Sequence, residues 1–76
     1  MPDESITLSV NASLSVSDQI DSIAQQLKQW IFEWVRITRM VNPDETVHFR
    51  LSKMWVIDNK RYCQYKAIAM KKRGKK

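Results

Sequence analysis

Trp34-Val35-Arg36-Ile37-Thr38-Arg39-Met40-Val41-Asn42-Pro43 is the stretch on which the architecture of this chain turns. Its first five residues are dense in β-branched and aromatic side chains, which suits a strand. The same residues also continue a helical pattern from upstream. Ile20, Ile23, Ala24, Leu27, Trp30, Ile31, Trp34 and Val35 fall within one broad arc at about 100° per residue, while Gln25, Gln26, Gln29, Glu33 and Arg36 lie outside it. Ile37 and Val41 extend the stripe, and Asn42-Pro43 is a natural stop. Read as a strand, the stretch would end in a hairpin turn at Asn42–Glu45. Read as a helix, it completes one amphipathic element from about Asp18 to Val41, with a span of roughly 36 Å. That length matches an eleven-residue strand at about 3.3 Å per residue, and the long helix is the reading adopted.

Upstream, Ile6, Leu8, Val10, Ala12, Leu14 and Val16 alternate with Thr7, Ser9, Asn11, Ser13 and Ser15. Period-two alternation predicts a strand over Ile6–Val16 with one buried and one wet face. No Lys or Pro blocks its edge against lateral pairing. Ser17-Asp18-Gln19 reads as the helix start, with Asp18 and Asp21 near its positive end. Downstream, Thr46–Ile57 reads as a second strand. Val47, Phe49, Leu51, Trp55 and Ile57 share one side, His48, Arg50, Ser52, Met54 and Val56 the other, and Lys53 interrupts the apolar side. Asp58-Asn59-Lys60 is a turn, and Arg61–Met70 returns as a third strand. If Ile57 pairs with Arg61, then Cys63, Tyr65, Ala67 and Ala69 join the apolar side, and Tyr62, Gln64, Lys66, Ile68 and Met70 share the outer face with Arg50 and Met54. A change of one residue in the loop would exchange those faces. The fold class expected is α+β: a β-α-β-β chain whose mostly antiparallel three-stranded sheet carries one long amphipathic helix on one face.

The chain has 76 residues, enough for one domain over residues 1–70, with a flexible basic tail at 71–76. So small a domain gains stability from disulfides, metals or self-association. The single Cys63 leaves no internal disulfide, and with His48 as the single histidine no Cys/His zinc cluster can form. The one glycine, Gly74, lies in the tail, so no glycine-rich phosphate loop is present. The carboxylates have local structural reasons at the N-terminus, the helix start and the turns. Neither His48 nor Cys63 sits in a catalytic constellation, and the basic neighbours of Cys63 are weighed against simple strand packing. No enzyme activity and no cofactor are expected. The acidic start resembles no secretory signal, and no run approaches a membrane span. A soluble, cytoplasmic protein is expected.

Charge carries the functional reading. The net charge is +5, yet the first 27 residues hold no Lys or Arg. The cations gather in the C-terminal hairpin and in Lys71-Lys72-Arg73-Gly74-Lys75-Lys76. Arg50, Arg61, Tyr62 and Lys66, with Lys71, Lys72, Arg73, Lys75 and Lys76, are the candidate nucleic-acid-binding residues, since cations beside an aromatic suit phosphates and bases. A small regulatory or nucleic-acid-binding protein follows, its partner a nucleic acid or another polyanion. Phe32 and Met40 break the helix pattern, and Met54, Val56 and Ile68 lie on the sheet face the helix would leave bare. These five are the candidate interface residues, for a homodimer or for a partner protein in the alternative reading as an inhibitor, adaptor or assembly subunit.

Overall fold

The computed structural model describes residues 2–71. Strand β1 (Ser5–Asn11), helix α1 (Val16–Val41), strand β2 (Glu45–Ile57) and strand β3 (Lys60–Lys71) follow in that order. The sheet order is β1-β3-β2, and both outer strands run antiparallel to β3. α1 therefore bridges two strands that point the same way and straddle a third. The α+β, β-α-β-β fold is the one expected, and residues 34–41 are helical rather than extended. Among the described residues no helix is long and apolar enough to cross a membrane.

The first strand is shorter than its alternation suggests. Asn11 Oδ1 accepts from the Ser13 N–H at 2.9 Å and from its hydroxyl at 2.6 Å. This side-chain turn diverts the backbone from the ladder, and the Ala12 N–H crosses to the Asn59 carbonyl instead. The helix then starts at Val16, with Ser15 rather than Ser17 as its N-cap: Ser15 Oγ accepts from the Asp18 N–H at 3.1 Å. Leu14 and Val16, expected on the buried strand face, are exposed as a consequence.

The hairpin between β2 and β3 turns through Asp58 and Asn59 alone, both at positive φ (51° and 63°), the conformation a type I′ turn requires. Ile57 therefore pairs with Lys60, not Arg61. The face assignment survives near the strand start because a second irregularity intervenes: the register shifts between Leu51 and Lys53, leaving Ser52 as a bulge. Before the bulge, Val47, Phe49 and Leu51 share the helix side of the sheet with Ala69, Ala67 and Tyr65. Beyond it, Met54 and Val56 take that side opposite Cys63 and Arg61, while Trp55 and Ile57 turn to the open face opposite Tyr62 and Lys60.

The core is small. Leu8 and Val10 from β1, Trp30 and Trp34 from α1 and Cys63 from β3 are its buried apolar members. Trp30 meets Phe49 edge to face at 5.3 Å. The Asp3 carbonyl accepts from both indoles, Trp30 Nε1 at 2.9 Å and Trp34 Nε1 at 2.8 Å, and so ties the segment before β1 to the helix. Gln19 is buried and fully used. Its Nε2 donates to the carbonyls of Leu14 and Ala12, and its Oε1 accepts from Arg61 Nε at 3.0 Å. On the β1 side of α1, Gln26 Nε2 donates to the Ser9 carbonyl. The opposite flank of α1 looks toward the start of β2, where Val35, Thr38 and Arg39 line a shallow groove with Pro43 and Val47.

Candidate functional site

One face of the sheet has no helix over it. Its residues follow from the two registers: Thr7 and Ser9 from β1, Tyr62, Gln64, Lys66, Ile68 and Met70 from β3, and His48, Arg50, Lys53, Trp55 and Ile57 from β2. Lys60 joins them opposite Ile57. The central strand is flanked on one side by uncharged hydroxyls and on the other by cations. Glu45 is the one carboxylate at a strand position, and it pairs with Lys71 on the opposite face. The open face therefore carries Arg50, Lys53, Lys60 and Lys66 with no strand carboxylate among them.

Two contacts organise this face. Arg50 stands directly opposite Lys66 in the ladder, a like-charge pairing that works against the sheet. Trp55 stacks on Tyr62, with ring centroids 5.5 Å apart and planes within 8°. Lys53 lies between the two pairs, opposite Gln64. The result is an aromatic plate at one end of a cationic strip. Among the described residues the one ion pair is Arg36–Glu33, on the helix, so none of these four cations has a carboxylate partner.

The sequence-derived residues separate on this framework. Arg50, Tyr62, Lys66 and Ile68 are brought together on the open face. Arg61 is not with them. It lies on the helix side, held by Gln19 and with its Nη1 3.5 Å from Met54 Sδ. Met54 and Val56 were expected on the open face, and the bulge at Ser52 moves both to the helix side. Phe32 and Met40 are exposed on α1. Lys71 ends β3, exposed and opposite Glu45. The tail residues Lys72, Arg73, Lys75 and Lys76 lie outside the described residues.

Trp55 and Lys53 are the members of the face that residue spacing alone misses. One signal pointed to them. Lys53 stands where a strict alternation would bury a charge, and Met54 and Val56 stand where it would expose apolar groups; a single bulge before Lys53 corrects all three.

Cys63 does not offer a reactive thiol. It is 3% exposed, and burial pushes its pKa up, with the nearby Arg61 charge offsetting only part of the rise. Burial also raises the Tyr65 phenol, with a further contribution from Cys63. Among the described residues no three His, Cys, Asp or Glu side chains gather as a metal site would require. No protein-family model matches this sequence, and no curated protein or solved structure matches it.

Proposed function

We propose that this protein binds single-stranded nucleic acid across the open face of its sheet. The observation that carries the reading is the unpaired Arg50–Lys66 cross-strand pair beside the Trp55–Tyr62 stack, on a face without a strand carboxylate. Like charges placed directly opposite one another cost stability in the free protein. A phosphate between them removes that cost and releases counterions. The aromatic plate supplies stacking for a base, which is worth about 1–3 kcal/mol per base and tolerates any sequence. A broad sheet suits unstacked bases, whereas the described residues offer no free helix of the kind that reads a major groove. Recognition on this account is electrostatic and aromatic, with weak sequence preference.

The test is fluorescence anisotropy with short oligothymidine and oligouridine across a salt series. Binding should weaken linearly in log–log form, with a slope near 0.7 per phosphate contacted. Trp55→Ala should weaken binding at every salt concentration while leaving the slope unchanged. Arg50→Gln with Lys66→Gln should reduce the slope by between one and two. An affinity indifferent to salt, or one untouched by all three substitutions, overturns the proposal.

A further inference from the structure

We infer that a second copy of this chain docks against the β2-facing flank of α1, in a two-fold arrangement with the two helices antiparallel.

The need for a cover is visible in the distribution of apolar side chains. Five are buried in the core, while Ile20, Phe32, Leu51, Met54 and Val56 are all exposed on the helix side of the molecule, from 44% for Leu51 to 60% for Ile20 and Phe32. They are not scattered. The flank of α1 that turns away from β1 carries Ile20, Ala24, Ile31 and Val35, and a shallow groove along it is lined by Ala24, Lys28, Ile31, Phe32 and Val35. The second half of β2 presents Leu51, Met54 and Val56 on the same side, where no element of the chain covers them. A patch of this kind, bordered by the free edge of a 13-residue strand, offers several hundred Å² of apolar surface. Stable dimers bury about 800 Å² per partner.

Charge selects a second copy as the occupant. Asp21, Gln25, Lys28, Phe32, Val35 and Arg39 succeed one another at alternating steps of four and three residues, so they form one row along the rim of this flank. The row is acidic at its start and basic at its end, and neither Asp21 nor Arg39 takes part in an ion pair among the described residues. Laid antiparallel on itself about position 30, it sets Asp21 opposite the partner's Arg39 and Arg39 opposite the partner's Asp21. Gln25 then meets the partner's Val35, and Lys28 meets the partner's Phe32, whose ring face suits a cation. This self-complementarity is the condition a two-fold interface must satisfy. The C-terminal half of the partner helix then lies over Ile20, Met54 and Val56. The open sheet face, with Trp55 and Tyr62, stays free, so the dimer does not depend on the nucleic-acid reading.

Sedimentation equilibrium of the full chain over micromolar concentrations tests the inference. A species of twice the 9.0 kDa chain mass is expected. Asp21→Arg and Arg39→Asp should each raise the dimer dissociation constant at least tenfold, and the double substitution should restore it. Phe32→Glu should yield monomer with helix content retained by circular dichroism. Trp55→Ala should leave the mass unchanged. A monomer at all concentrations, a dimer indifferent to Asp21→Arg and Phe32→Glu, or a dimer broken by Trp55→Ala each overturns it.

Discussion

At the scale of single residues, the chain is held by a few polar side chains that an apolar-pattern reading passes over. Gln19 joins the β1–α1 loop, the helix and β3 through three hydrogen bonds. Leaving such buried groups unpaired costs about 1–3 kcal/mol, and its capture of Arg61 removes that cation from the open face. Cys63 illustrates the same point for chemistry. Three cationic neighbours in sequence suggested a lowered pKa, yet burial outweighs them. A pH dependence follows. Unfolding lets the Cys63 thiol and the Tyr65 phenol ionise at their ordinary values of 9.0 and 10.0, below their raised folded values. Above the ordinary values the unfolded chain therefore binds fewer protons than the folded one, and stability falls as pH rises. Their contribution is fully present below about pH 9 and is lost as pH climbs through the folded values. The midpoint of urea unfolding should decline on the alkaline side, and Cys63→Ala should make that decline shallower whatever its effect on stability at neutral pH. A midpoint flat through the alkaline range contradicts the assignment.

At the scale of elements, two local irregularities do most to shape the candidate site. The Asn11 side-chain turn shortens β1 and moves the helix start to Ser15. The alternation that ran on to Val16 was therefore real as a pattern and misleading as a boundary, because the side chain of Asn11 competes with the ladder for backbone donors. The Ser52 bulge is the more consequential. It places Trp55 against Tyr62 and Lys53 among the cations, and it sends Met54 and Val56 to the other side. Deleting Ser52 should restore a plain two-residue alternation through β2. Either the second half of the strand rotates, burying Trp55 toward the helix and exposing Met54 and Val56 on the open face, or the Asp58–Asn59 turn is forced out of register. In both cases oligonucleotide affinity should fall at least tenfold and Trp55 fluorescence should shift. Full affinity in the deletion variant, measured beside a circular dichroism spectrum that shows an intact fold, contradicts the role given to the bulge.

At the scale of the whole molecule, the two layers leave two surfaces with different chemistry. The open sheet face is cationic and aromatic, and the helix flank with the second half of β2 is apolar with a rim of both signs. The C-terminal cations add to the first. Removing Lys72–Lys76 should lower oligonucleotide affinity and reduce the salt slope by up to about 0.7 for each phosphate lost, yet leave the effect of Trp55→Ala intact. Binding abolished altogether by that deletion would shift recognition from the face to the tail. The sequence by itself determined the element order, the length of α1 and the absence of glycine-rich phosphate loops, because periodicity and residue chemistry are local properties. It also placed Arg50, Tyr62, Lys66 and Ile68 on one face, since alternation fixes sides wherever the register is unbroken. Tertiary structure alone decided where Arg61, Trp55, Met54 and Val56 point. A strand repeats every two residues, so one extra residue inverts every side chain beyond it, and whether a strand takes up that residue is settled only by the strand and helix it packs against.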